Sequence, residues 1–270
     1  MPILGIDYEK CNNCKLCVKE CRMRFLEDKE NSRIVFSDPT NSCSFCGHCV
    51  AVCPNDAVLY QGLGDIPYRF KEIRHLDKLI PYETIHNFLR AQRSIRHYKQ
   101  QKVPQDLLRK VITTMGYAPT GANVRSEKFA VLSDPEQIST LSKGVLEELL
   151  KKPSTRSHYE ESFSIRKKFY KNPVYFDAPH LILVYSSTHT FLEAMNIGII
   201  ITYGRLAAQS LGLGTCWNGW TQIAFESNKK LLKTAGIRGR GWGAFTIGYP
   251  DISFGRCPPR KQKRIKGLDY

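Results

Sequence analysis

The sequence predicts an α+β chain in two parts, and three observations carry that prediction. Eight of its ten cysteines lie within the first 54 residues, in two sets of identical spacing. The rest is too long to be an appendix, since 270 residues that are 42% hydrophobic and 11% aromatic supply apolar side chains for a sizeable second core. That remainder also alternates short β-branched runs with stretches of helical periodicity. The expected layout is a small metal-binding domain over residues 1–60, a linker over 61–80 and a larger domain over 81–270.

Cys11, Cys14, Cys17 and Cys21 read C-x2-C-x2-C-x3-C, and Cys43, Cys46, Cys49 and Cys53, followed by Pro54, repeat that spacing. Thiolates two residues apart converge on one iron-sulfide cube, which makes this an iron-sulfur signature. Zinc sites usually present two C-x2-C pairs, not two sets of four. A disulfide framework wants an oxidising compartment, and the opening MPILGIDYEK has no apolar secretory core. The stretch resembles bacterial-type 2x4Fe-4S ferredoxins. Under their crossing rule Cys11, Cys14, Cys17 and Cys53 hold one 4Fe-4S cluster, and Cys43, Cys46, Cys49 and Cys21 hold the other. Arg22 stands where that family has a proline, and residues 22–42 make a longer connection than its compact members carry.

The formal charge is +15, which two oxidised clusters with their eight cysteinates lower to roughly +11. So basic a chain favours an acidic protein partner or an anionic ligand. The apolar runs LILVY and IGIII are far shorter than the ~20 residues that span a bilayer, so a soluble cytoplasmic protein without membrane contact is expected.

NDAVLY gives a short strand that closes the first part near Leu59. Residues 61–80 carry Gly62, Gly64 and Pro67 without periodicity and are expected to lie as a linker on the second domain. Pro81 suits the first turn of a helix with Ile85, Phe88 and Leu89 on one face. A second amphipathic helix carries Leu107, Leu108, Val111, Ile112 and Met115. KFAVLS is a strand, and Asp134 and Pro135 start the next helix. Residues 151–176, polar and poorly periodic, are expected as a surface insertion or lid. HLILVYSS is a buried strand. Thr190–Leu211 is apolar on nearly every side, and Gly198, Gly204, Ala207 and Ala208 would admit a second helix closely, which points to a homodimer interface. GLGTCWNGW is a turn opened by Gly212 and Gly214, and WGAFTIGYP is the last strand. Cys216 and Cys257 are expected to be structural, because no histidine stands near them.

Two stretches, QRSIRHY at 92–98 and YAPTGANVRSEKF at 117–129, bracket the second helix. Arginines beside a serine offer fork-shaped donors for a phosphate, although Arg93 and Arg96 taken alone also suit a solvated helix end. The order of these features, with the later helix ending in Gly-Leu-Gly, resembles the nitroreductase family of flavoproteins over residues 80–265. That resemblance implies a dimeric α+β domain with its sheet flanked by helices and FMN as cofactor. It puts Arg93, Ser94 and Arg96 on the FMN phosphate and ribityl chain, and Pro119, Thr120, Gly121 and Asn123 on the flavin loop. Asn218 and Gly219 become main-chain contacts to the flavin with Trp217 beside them, and Arg260 in the basic tail closes on the phosphate. Gln92 replaces the family's first arginine, and Arg125, Ser126 and Glu127 replace Gln-Pro-Trp.

No Rossmann fingerprint follows a strand, and no nucleic-acid motif accompanies the RKQKR tail. The function expected is an oxidoreductase that converts one-electron into two-electron transfer. A reduced acidic ferredoxin or flavodoxin would supply electrons through the clusters for FMN to reduce a nitro compound, quinone or activated alkene; the reverse flow has NAD(P)H reducing FMN and electrons leaving through the clusters. The alternative is a non-catalytic electron-transfer subunit of a larger redox complex.

Overall fold

The computed structural model describes residues 1–62, 64–70, 76–187, 192–261 and 263–267. They form two compact units, Met1–Leu79 with Thr120–Arg125, and Ile80–Pro119 with Ser126–Tyr270.

In unit 1 the two cysteine motifs fold alike. Strand β1 (Ile3–Ile6) precedes the first motif, whose last cysteines ride on helix α1 (Leu16–Glu20). Strands β2 (Phe25–Asp28) and β3 (Arg33–Phe36) form an antiparallel hairpin inside the 22–42 connection, pairing Phe25 with Phe36 and Asp28 with Arg33. Helix α2 (His48–Val52) repeats α1 at the second motif, and β4 (Val58–Tyr60) returns antiparallel to β1. So small a unit has little apolar surface to bury, and Cys17 and Cys49 join Ile3, Ile6, Phe25, Ile34, Val50 and Val58 in its core. The linker residues up to Leu79 group with this unit and not with the second, which corrects their expected placement. Leu63 and residues 71–75 of that stretch lie outside the described residues.

Unit 2 begins with helix α3 (Tyr82–Ala91), with Pro81 as its N-cap. Its expected apolar face is not buried in the chain, since Ile85 and Leu89 are exposed. Helix α4 (Gln105–Met115) does bury Leu108, Val111 and Met115. Strand β5 (Glu127–Leu132) leads to α5 (Pro135–Lys151), where Asp134 caps the first turn by accepting from the Glu136 N–H at 2.9 Å. Helix α6 (Pro153–Arg166) follows, and it corrects the expected surface insertion: Phe163 is buried against Trp220. Its apolar residues are too sparse for a stripe, so the helix is held by a few inward side chains. Strand β6 (His180–Ser186) is the central strand, followed by α7 (Glu193–Ser210), β7 (Gly214–Trp217), α8 (Gly219–Ser227), α9 (Leu231–Thr234) and β8 (Arg240–Gly248). Thr190 and Phe191, the expected start of α7, lie outside the described residues.

The sheet order is β5-β6-β8-β7, antiparallel throughout. Alternation along β6 divides the core: Leu181 and Leu183 face the α5, α6, α8 and α9 side, while Ile182 and Val184 face α4 and α7. The small residues of α7 serve this packing. A Cβ on Gly204 would stand 2.7 Å from Met115 of α4, and Ala208 is fully buried, so the close helix approach foreseen there is made within one chain. The opposite face of α7 leaves Met195, Ile199 and Tyr203 exposed.

Candidate functional site

The cysteine loops show how one backbone solution was used twice. The residue before the middle cysteine is left-handed in both motifs, Asn13 at φ 58° and Phe45 at φ 52°, and so is the residue after it, Lys15 at φ 61° and Gly47 at φ 78°. Each left-handed turn folds its cysteines back to one side before the short helix starts. Burial pushes the Cys17 thiol up, and the Cys53 and Cys11 thiols add to the shift. Burial likewise pushes Cys49 up to about 11, and the thiols that add to it are Cys46, Cys21 and Cys43. Cys53 therefore lies near Cys11 and Cys17, and Cys21 near Cys43, Cys46 and Cys49.

A cavity of about 160 Å³ is lined by Cys21, Cys43, Cys46 and Cys49 together. Phe25, Phe36 and Phe45 form much of the remaining wall. Thiols arranged around such a space, and shielded by aromatic rings, fit a 4Fe-4S cube. Asp38 presents Cys43: its carboxylate accepts from the Ser42 and Cys43 N–H groups at 3.0 Å each, and Arg24 Nε holds it at 2.9 Å. On the other side the Ala57 N–H donates to Cys53 Sγ at 3.3 Å, an N–H···S bond of the kind that tunes a cluster. His48 and Glu20 join the two short helices at 2.8 Å.

In unit 2 the stretch after α3 is laid along the sheet. Ser94 bridges to Thr215, the Ile95 N–H donates to Thr215 O at 2.9 Å, and Tyr98 bridges to Pro250. Gly214 makes this possible, since a Cβ there would lie 2.7 Å from Ile95. The docked stretch brings Ser94 and Arg96 to buried Cys216, whose thiol is pushed up by burial against the pull of Arg96, Ser94, Arg205 and Arg166. Arg205 Nε lies 3.3 Å from Thr215 Oγ1, and burial pulls this guanidinium down. Arg96 lies over the Phe176 ring, and Arg166 over Phe176 and Trp220.

Among the described residues none of Arg96, Arg166 and Arg205 pairs with a carboxylate. Gln92 adds a buried Nε2 with no hydrogen-bond partner. Arg205 and Arg166 are half-buried and Arg96 is exposed, and guanidinium groups without a carboxylate beside an orphaned amide donor suit an anion, so this cluster fits the phosphate of a nucleotide-like cofactor such as FMN.

The foreseen site residues fall into three groups. Ser94, Arg96 and Trp217 stand at or next to this basic cluster. Arg93 is drawn partly away, donating through Nη1 to Arg90 O and Gln92 O to cap α3, and the tail reaches it through Cys257, while Arg260 is exposed. The Cys257 thiol is held below its usual range, chiefly by its hydrogen bond with Arg93. Asn218 corrects its expected role: its N–H is spent on Ala244 O at 2.8 Å and its side chain caps α8 by accepting from the Thr221 N–H at 2.9 Å, while Gly219 opens that helix. Pro119 belongs to unit 2, but Thr120, Gly121 and Asn123 belong to unit 1. Arg166 and Arg205 were not foreseen. Arg205 had a signal, the one basic residue inside an otherwise mostly apolar helix; Arg166 was hidden in a polar stretch with other arginines and lysines.

Comparison with known proteins agrees with both halves. Residues 10–58 match the 4Fe-4S dicluster domain, and residues 89–249 match the Nitroreductase family. In class the protein is an iron-sulfur flavoprotein oxidoreductase. It belongs to the Nitroreductase family. A ferredoxin of Methanothermococcus thermolithotrophicus is 40% identical over 55 residues, 20% of this chain and 88% of that protein. An iodotyrosine deiodinase of Thermotoga neapolitana is 24% identical over 171 residues, 63% of this chain and 90% of that one. A Bacteroides fragilis nitroreductase solved with bound FMN shares the fold, with a TM-score of 0.57 at 21% identity over 69% of this chain and 97% of its own. No helix among the described residues is long and apolar enough to cross a membrane.

Proposed function

We propose that the protein accepts single electrons at two 4Fe-4S clusters in unit 1 and uses them, through FMN in unit 2, to reduce an electron-poor small molecule: a nitro compound, a quinone or an activated alkene. FMN, when bound, supplies the conversion of successive one-electron deliveries into a two-electron reduction. The chain's own residues bind and orient. Arg96 and Arg205, with Ser94 and Gln92 beside them, hold the phosphate, and Trp217 and the Gly219 N–H border the flavin. The carrying observation is the cluster of arginines around buried Cys216, without a paired carboxylate among the described residues, on a nitroreductase-family domain covalently continuous with a two-cluster cysteine pattern.

The external donor in this reading is an acidic ferredoxin or flavodoxin, with NAD(P)H at the flavin as the competing source. The likeness to a protein named iodotyrosine deiodinase adds a halogenated phenol to the acceptors worth testing. The protein works as a homodimer through the exposed face of α7, where Met195, Gly198, Ile199, Thr202 and Tyr203 line an open apolar hollow of about 430 Å³. The test is anaerobic turnover with reduced ferredoxin or NAD(P)H against a panel of nitroaromatic, quinone, enone and iodophenol acceptors. Turnover of a small molecule by the purified dimer supports the enzyme; electron transfer only to a protein acceptor would favour a non-catalytic subunit.

A further inference from the structure

The two cysteine loops are alike in backbone but not in what steadies them. In the first loop Asn13 occupies the left-handed position between Cys11 and Cys14, which suits an asparagine, and its Nδ2 donates to Ser32 O at 2.9 Å. The second loop has Phe45 there, equally left-handed but bulky and without an amide. The missing amide comes from elsewhere in the chain. Asn123 Nδ2 donates to both Ser44 O and Phe45 O, each at 3.0 Å. These two carbonyls lie between Cys43 and Cys46. The Thr120–Arg125 stretch that carries Asn123 is itself bent by left-handed residues, Ala122 at φ 52° and Asn123 at φ 53°, and closed by the Arg125 N–H on Thr120 Oγ1 at 3.2 Å.

We infer that Asn123 is a positioning residue for the second iron-sulfur cluster: by fixing the Ser44 and Phe45 carbonyls it sets how the Cys43–Cys46 loop meets the cube, and so tunes that cluster alone. The inference rests on the two-cluster reading, and it gives Asn123 a task different from the flavin contact that the family resemblance assigns. Cluster potential and lability follow main-chain hydrogen bonding and solvent access around the sulfurs, and both depend on how this loop is oriented. A loop whose carbonyls lose their donor can rotate its peptides and open the cube to water.

Two variants test this in the holoprotein. Asn123→Gly removes the amide and still suits the left-handed backbone. Asn123→Asp keeps the shape but replaces the donor by an acceptor. Each is purified anaerobically and compared with wild type by iron, sulfide and FMN content, by EPR-monitored redox titration, and by the rate of cluster loss in air. Cys46→Ser identifies the second cluster's signal. The expected result is a shifted midpoint and a severalfold faster loss of the second cluster in both variants, with the first cluster and the FMN content unchanged. Asn13→Gly should do the mirror image, disturbing the first cluster only. Unchanged titrations of both clusters, or loss of FMN with both clusters intact, would overturn the assignment. A wild-type protein with fewer than about eight irons per chain would defeat the two-cluster reading itself, and that is seen before any variant is made.

Discussion

Unit 1 holds its candidate metal ligands in two stretches of eleven residues each, Cys11–Cys21 and Cys43–Cys53, whereas unit 2 gathers its arginines around Cys216 of the edge strand β7 from the stretch after α3, from α6 and from α7. The difference teaches two ways of building a cofactor site. A cluster bound by thiolates needs bonds of fixed length to neighbouring atoms, so its ligands are written as local spacing. A phosphate needs only donors and positive charge converging on a region, and any elements that the fold brings there will serve. Loss of one thiolate should accordingly be close to all-or-none, while loss of one guanidinium should be graded. Cys46→Ser is the sharpest way to break the comparison: iron should fall from about eight to about four per chain while FMN stays bound. Iron that stays near eight, by metal analysis, would remove Cys46 from the ligand set.

The graded side is tested at Arg96. Arg96→Ala removes one charge-assisted contact of roughly 1.5 to 3 kcal/mol, so FMN should bind on the order of tenfold or more weakly, followed by flavin fluorescence on reconstitution. Iron should not change. Arg205→Gln should weaken FMN to a similar degree, because the two guanidinium groups flank the same buried thiol. Equal FMN affinity in wild type and Arg96→Ala would return this arginine to a packing role over Phe176.

The same contrast decides what was legible in the sequence. The cysteine spacing pointed to two 4Fe-4S clusters, because that information is contained in each short motif. The order of elements in unit 2 was also legible, since helical periodicity and the continuous run of β6 survive without context. Helix α6 was not, because it is anchored by single side chains such as Phe163 and carries no stripe. Arg166 stayed hidden with it. Asn218 was assigned to a flavin by resemblance, and only the register of β8 reveals that its N–H is already used by Ala244. The bonds of Asn123 to the second cysteine loop escaped for the same kind of reason, since a contact between residues more than seventy positions apart leaves no mark in the spacing of either.

Charge also separates the two units, because by formal count unit 1 is close to neutral and unit 2 carries nearly all of the +15, and a salt titration tests what that does to electron entry. The chain remains strongly basic after allowing for the clusters, so an acidic ferredoxin should be steered to it. Exposed charges act over a Debye length of about 10 Å at 0.1 M salt, and less as salt is added. The second-order rate of reduction should fall severalfold between low and high ionic strength in anaerobic stopped flow, while a small uncharged reductant should show little change. A flat ferredoxin rate would move entry to NAD(P)H at the flavin.

The smallest effect expected lies in the scaffold of unit 2, at a buried histidine outside both sites. His180 Nε2 accepts from the Val103 N–H at 2.9 Å, which leaves Nδ1 to carry the proton and donate to Ser133 Oγ at 2.7 Å. Burial, with some help from Lys102, pulls its pKa below the usual histidine value of 6.5. The folded protein therefore binds this proton less readily than the unfolded chain, so stability rises with pH: the neutral ring's full contribution is present above pH 6.5 and is lost progressively as pH falls below it. Protonation would also cost the bond from Val103, worth roughly 1 kcal/mol, or a shift of about 2–4 °C for a unit of this size. Thermal unfolding of the wild type should thus fall by that amount between pH 7.5 and 5.5 relative to His180→Gln, which keeps an acceptor for Val103 but has no proton to gain. Parallel pH profiles for the two proteins would show that the acid sensitivity comes from other groups, with the clusters of unit 1 the first to examine.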